Sequence, residues 1–310
     1  MLALGGNAMT NADGRARPED QIAAAEVAMD AVAELLSHDV DVVITHGNGP
    51  QVGNLLVKNE LAASVVPPVP LDWCGAQTQA TLGFVLMDAL DVALARHRVD
   101  RRCATVVTRT LVDVHDPGFV RPTKPIGRFL PAEEAQPLVE HGEVWQDRGE
   151  KGWRRVVASP EPLDILDAPA VLALVDAGFV VVANGGGGIP VVRRDDGSLS
   201  GVEAVIDKDL GAALLGVLVG ADLLVVATDV PQAVLDFGRP DAQPIGRVGL
   251  AQMQEYAEHG HFASGSMGPK VDAVCRFVQA TDQPGLITSL DGIVGAVTEI
   301  GSVGTVVVPD

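Results

Sequence analysis

Short runs that are apolar throughout alternate along the chain with longer Ala- and Leu-rich segments whose apolar residues recur at helical spacing. Leu2–Leu4, Val40–Thr45, Ala104–Arg109, Phe179–Ala183, Leu223–Ala227, Leu286–Ile287 and Thr305–Val308 read as strands. Gln21–Ser37, Val52–Ala62, about Thr78–Arg96 and Asp207–Leu218 read as helices. A strand with no polar face must be covered on both sides, so the pattern predicts an α/β fold with a parallel or mixed sheet between helical layers. The most membrane-like stretch is Leu210–Thr228, but Gly211, Gly216, Gly220 and Asp222 interrupt it. It reads as a buried helix running into a buried strand rather than a span.

One segment breaks the rhythm. From roughly His115 to Pro162 the chain is rich in Pro, Gly, Trp and charge, with a hairpin expected around Asp147–Trp153. It reads as a subdomain inserted into the sheet architecture. No internal repeat or low-complexity tract is visible.

Composition narrows the class of partner. The 310 residues suit one large or two modest domains. Lys and Arg number 22 against 41 Asp and Glu, a formal net charge of −19. That argues against nucleic acid or an anionic membrane as partner, and makes any phosphate site a local positive pocket in a negative envelope. Cys74, Cys103 and Cys275 form no C-x-x-C pair, which suits a reducing compartment and supplies no zinc or disulfide framework. The first residues, MLALGGNAMTNADGRAR, contain no apolar core after a basic start, so no signal peptide is visible and a cytoplasmic location is expected.

The glycines fall where ligands bind in open α/β sheets. Three expected strands run into Gly5-Gly6-Asn7, Gly47-Asn48-Gly49 and Asn184-Gly185-Gly186-Gly187-Gly188. Glycine makes tight turns, but three clusters at strand carboxyl ends also put bare backbone N–H groups where an anion can approach closely. Neither G-x-x-x-x-G-K-[ST] nor G-x-G-x-x-G occurs, and the Asp236-Phe237-Gly238 tripeptide lacks the other protein-kinase motifs. The seven histidines show no metal-ligand spacing.

Only five of the 22 basic residues are lysine. Lys58 and Lys151 read as solvated. Lys124 sits between prolines in Pro122-Thr123-Lys124-Pro125, Lys208 between Asp207 and Asp209, and Lys270 after Ser266-Met267-Gly268-Pro269. Each alone could serve a structural ion pair. Together with the glycine loops they point to phosphate clamps. Phosphoryl transfer between oxyanions needs positioning and cationic neutralisation rather than a base. Residue chemistry therefore leads to a phosphotransferase or a phosphate-binding α/β protein.

Taken in order, the motifs Ala3–Ala8, Thr45–Gly53, Pro122–Gly127, Gly152–Val157, Gly185–Pro190, Gly201–Asp209 and Gly265–Lys270 resemble those of carbamate kinases, in the amino-acid-kinase superfamily. The resemblance runs over essentially the whole chain. It implies an open αβα sandwich with a mainly parallel sheet and a protruding subdomain. Residues 1–200 would form the acceptor half, with the insertion at about 115–162, and 201–310 the nucleotide half. It implies ATP + carbamate ⇌ ADP + carbamoyl phosphate, with Mg²⁺ carried on the nucleotide phosphates, in a homodimer, typically making ATP in arginine-type nitrogen catabolism.

The same resemblance implies that Gly5, Gly6, Asn7, Gly47, Asn48 and Gly49 hold carbamate and the transferring phosphoryl group. Lys208 and Lys270 would stabilise the transition state and nucleotide phosphates, and Asp209 would orient them or support Mg²⁺. Asp229, Met267 and Gly268 would flank the nucleotide. Many superfamily members place a lysine beside the first Gly-Gly, whereas here no basic residue precedes Arg15. Lys124, delivered by the protruding subdomain, matches the position that supplies this charge in carbamate kinases. Alternative readings are an acylglutamate, glutamate or UMP kinase, or a catalytically silent carbamoyl-phosphate or nucleotide sensor. The lysine-free first loop opposes the former, and retention of all three lysines opposes the latter.

Overall fold

Side chains along a strand point alternately to opposite faces, and here both faces are apolar. The computed structural model describes residues 1–5, 17–140, 142–262 and 266–310. In it, Leu2, Leu4, Val225 and Ala227 face one helical layer, while Ala3, Leu224 and Val226 face the other. The first layer holds the Pro18–Ser37 and Leu71–His97 helices, through Met29, Val32, Leu82, Leu86 and Leu90. The second holds the Met267–Thr281 helix, through Val271, Val274 and the fully buried Phe277. Each such side chain contributes roughly 1.5–3 kcal/mol by leaving water.

Among the described residues, eight strands form the central sheet. Their order is Arg247–Gly249, Thr305–Val308, Gly285–Ser289, Leu224–Thr228, Leu2–Leu4, Val43–His46, Phe179–Val182, Arg102–Thr105. All neighbours run parallel except Gly285–Ser289 against Thr305–Val308. The mainly parallel αβα sandwich expected from the sequence is the fold observed. A chain leaving Leu2–Leu4 goes to one neighbour first and reaches the other much later. Such a switch point opens a crevice beyond the strand carboxyl ends.

Three expectations change. Ala104–Arg109 is not one strand: Arg102–Thr105 pairs with Phe179–Val182, and Arg109–Leu111 crosses to a separate sheet beside Ile189–Arg193. Thr108 between them is held by Gln79, whose Oε1 accepts from Thr108 N at 2.9 Å, so the ladder breaks there. Helices also begin earlier than the periodicity suggested, at Pro18, Gly49 and Leu71. Pro18 and Pro50 lie in first turns, where a missing N–H costs nothing. Leu71–His97, rather than Leu210–Thr228, is the described helix long and apolar enough to match a membrane span. Its Leu82, Leu86 and Leu90 are nevertheless fully buried against the sheet, the mark of a core helix. Leu210–Thr228 is the expected helix (Lys208–Leu218) followed by a strand (Leu224–Thr228).

The insertion folds as a small antiparallel sheet. Lys124–Leu130 pairs with Trp153–Val157, which pairs with Trp145–Asp147. The expected hairpin is present, closed by Gly149–Lys151. Leu130, Ala135 and Trp145 form its own small core. Ile126 and Val157 instead join Val52, Leu56, Leu71 and Cys74, fixing this sheet over the Gly49–Ala62 helix.

Candidate active site

A cleft of about 1000 Å³ opens at the carboxyl ends of the central strands. Gly5 follows the first strand into it, Gly47, Asn48 and Gly49 follow the second, and Thr228 and Asp229 end a third. The amino-terminal ends of the Gly49–Ala62, Lys208–Leu218 and Met267–Thr281 helices all border it. Their dipoles, with those first-turn N–H groups that no side chain caps, favour negative charge inside the cleft.

The four-glycine loop forms the cleft wall and is fixed by a buried polar network. Asn184 is in the left-handed region, at φ 56°. Its N–H donates to Thr108 Oγ1 at 2.6 Å, its carbonyl accepts from Thr45 Oγ1 at 2.8 Å, and its Oδ1 accepts from Thr110 Oγ1 at 3.1 Å. Gly186 (φ 68°) and Gly188 (φ 90°) require glycine twice over. A Cβ at Gly186 would strike the Asn48 amide, and one at Gly188 the Thr110 hydroxyl. Asn48 is held from its other side, its Nδ2 donating to Thr78 Oγ1 at 2.9 Å.

The three singled-out lysines meet in this cleft. Lys208 Nζ contacts Asp209 Oδ1 directly, and Lys270 Nζ stands 3.1 Å from Asp209 Oδ2. The Asp209 side chain is 5% exposed, so two ammonium groups share one buried carboxylate. Burial alone would raise the Asp209 pKa, but Lys208 and Lys270 hold it below the usual carboxylate range. Burial pulls the Lys208 ammonium pKa down, and Asp209 opposes that pull. Lys124 reaches in from the inserted sheet, with Nζ 2.8 Å from Asp207 Oδ2. Lys58 and Lys151 are exposed, as expected.

The other expected site residues divide. Gly5, Gly47, Asn48, Gly49 and Asp229 line the cleft. Gly6 and Asn7 lie outside the described residues. Ser266, Pro269 and Lys270 line the cleft, whereas Met267 packs against the core around Phe277. Gly268 is in the first turn of the Met267–Thr281 helix, away from the cleft lining. Asp236-Phe237-Gly238 lies in the turn of a two-stranded hairpin with Phe237 exposed, outside the cleft. Cys103 and Cys275 offer no nucleophile, since burial pushes their thiols up to about 12.

Sequence reasoning missed Arg17 and Arg154, which also line the cleft. Arg154 lies over the Phe129 ring, 4.9 Å from its centroid, with a buried Nε that has no hydrogen-bond partner. It also passed over the role of Asp207, whose Oδ1 caps the Lys208–Leu218 helix through Asp209 N at 2.9 Å. An aspartate directly before a helix start is a legible capping signal.

A divalent cation would find little here without a nucleotide. Among the described residues, no three His, Cys, Asp or Glu side chains come together to hold a metal. Asp209 is already engaged by two ammonium groups. The donor set fits a divalent cation that keeps its waters and is held mainly by phosphate oxygens.

A glycine-walled cleft with clustered ammonium groups at the ends of parallel strands defines a phosphotransferase of the α/β class. The amino acid kinase family model matches residues 2–289, and the chain belongs to that family. Within it the chain groups with the carbamate kinases. It is 43% identical to the carbamate kinase of Thermococcus kodakarensis over 99% of this chain and 98% of that one. It is equally identical to the carbamate kinase-like protein YahI of Escherichia coli, over 98% and 97% of the two chains. The carbamate kinase of Giardia lamblia bound to AMP-PNP superposes with a TM-score of 0.93 at 39% identity, covering 100% of this chain and 98% of that one.

Proposed function

We propose that this chain catalyses ATP + carbamate ⇌ ADP + carbamoyl phosphate, with Lys124, Lys208 and Lys270 neutralising the transferring phosphoryl group. The observation that carries this reading is the Lys208–Asp209–Lys270 cluster at the edge of a cleft walled by glycine backbone. In the forward direction the γ-phosphorus leaves its bridging oxygen on ADP and bonds to a carbamate oxygen. Both oxygens are anionic, so no proton need move and no general base is required. Fixed cations and backbone donors suffice, because the charge to be stabilised is spread over the phosphoryl oxygens.

Gly5, Gly47, Asn48 and Gly49, with Gly6 and Asn7, form the carbamate side. Asp229, Ser266, Pro269 and Lys270 form the nucleotide side, with Met267 and Gly268 contributing only through the helix turn that presents Lys270. Residues 1–200 act as the acceptor half, with 115–162 as its protruding subdomain, and 201–310 as the nucleotide half. Mg²⁺ bound to the nucleotide phosphates supplies further charge neutralisation. In nitrogen catabolism the same chemistry runs toward ATP.

The chain works as a cytoplasmic homodimer. Trp73 and Phe84, 60% and 56% exposed on the Leu71–His97 helix, support a second copy packing there. The decisive assay is ATP formation from ADP and carbamoyl phosphate, scored against acetyl phosphate. No ATP from carbamoyl phosphate would favour the sensor reading. Sedimentation of the wild type against Phe84→Glu tests the dimer, which the charge should dissociate.

A further inference from the structure

We propose that Asp207 is a positioning residue that holds the Lys124 ammonium in the cleft and so sets where the inserted sheet delivers its charge. Its two carboxylate oxygens do different things. Oδ1 accepts from Asp209 N at 2.9 Å and Leu210 N at 3.4 Å, fixing the first turn of the helix that presents Lys208 and Asp209. Oδ2 accepts from Lys124 Nζ at 2.8 Å, across 83 positions of sequence. The Asp207 side chain is 17% exposed and the Lys124 side chain 33%, so the pair is partly shielded from water. A pair in that position is stronger than a surface one, yet open enough for an entering anion to compete.

Other attachments of the inserted sheet do not tie it to the helix that presents Lys208. Ile126 and Val157 pack on Val52, Leu56, Leu71 and Cys74 through apolar contact, which is not directional. Arg128 pairs with Glu60 at 3.1 Å and Arg155 with Glu203 at 3.5 Å. Neither partner belongs to the Lys208–Leu218 helix. Asp207 alone among these carboxylates ties the inserted sheet to the residues that fix Lys208. One side chain therefore sets the spacing between two cations that must act on the same phosphoryl group. When that group enters, Lys124 exchanges a carboxylate oxygen for a phosphoryl oxygen with little movement of its stem.

The inference rests on the reading of Lys124 as a phosphoryl clamp, and the test separates the two. Asp207→Asn keeps a good helix cap but loses the charge that holds Lys124. Asp207→Ser provides a second cap-competent variant. With carbamoyl phosphate and ADP as substrates, both should lower kcat by about 10- to 100-fold, the scale of a misplaced catalytic group, while the KM for ADP stays within about twofold. In a Lys124→Met background the same substitutions should change kcat by less than about twofold, because the group they position is gone. An equal loss in both backgrounds would overturn the proposal and leave Asp207 acting on Lys208 or the helix alone. Unchanged kcat in Asp207→Asn would overturn it as well. If Lys124→Met itself keeps wild-type turnover, the clamp reading fails instead. Melting temperatures of the two cap-competent variants close to that of the wild type exclude unfolding as the cause of a lost rate.

Discussion

Lys270 lies 61 residues after Asp209 in the chain, and its Nζ stands 3.1 Å from the Asp209 Oδ2. The carboxylate is already in contact with Lys208 through its other oxygen. Two cations that would repel each other in a low-dielectric cleft are thereby held close, with their charge partly offset until a phosphate arrives. This arrangement keeps both ammonium groups at one point without requiring bound nucleotide.

Replacing Asp209 by Asn should therefore harm folding and turnover together. Removing one partner of a buried ion pair leaves uncompensated charge and costs about 3–5 kcal/mol. Urea denaturation should show a loss of that order, and saturating ATP should restore part of it by supplying the missing negative charge. A variant as stable as the wild type would mean that the two lysines are solvated rather than clamped.

Lys208→Ala and Lys270→Ala should each lower kcat by about 10²–10³, the scale of a lost transition-state donor. Steady-state rates in both directions check this. Wild-type turnover in both variants would reject their assignment to the transferring group.

Lys124→Ala should lower the rate without weakening ADP. Its ammonium arrives from the inserted sheet, whereas Lys270 is carried by the Met267–Thr281 helix. Calorimetric ADP binding should match the wild type. Equal weakening of ADP would place Lys124 on the nucleotide instead.

His46 makes the fold sensitive to acid. The ring is 1% exposed and packed against Gly185, and burial pushes its pKa down to about 4, with the Gly47 carbonyl opposing. In the unfolded chain an imidazole titrates near the ordinary value of 6.5. Between these values the unfolded state binds a proton that the native state refuses, so stability is full above the upper value and falls as pH drops toward the lower. The whole window is worth roughly 3 kcal/mol. Measured by urea titration, the wild type should lose roughly 2 kcal/mol more than His46→Gln between about pH 7 and about pH 5. A gap that stays constant across that range would show that folding leaves the imidazole pKa unshifted.

Much of the layered fold was legible in the chain. Leu2–Leu4, Phe179–Val182 and Leu224–Thr228 are apolar on alternate residues facing both ways, which only a sheet covered on both sides can accommodate. The break at Val106–Thr108 was not legible, because β-branched residues favour strand locally while the Gln79 amide, 29 positions away, claims Thr108. Met267 illustrates the same limit at the site. Its neighbours Ser266 and Pro269 line the cleft, but helical geometry turns its own side chain onto the core.

Strand and helix identity, the glycine-bearing turns and the rarity of lysine are local properties, written into short stretches of sequence and so determined by them. Which lysines share a carboxylate, and that Asp207 caps one helix while gripping a cation from another sheet, depend on contacts between distant segments. Those contacts exist only after apolar burial has brought the layers together. The tertiary structure alone decides them, because an ammonium group carries no local signal of the carboxylate it will meet.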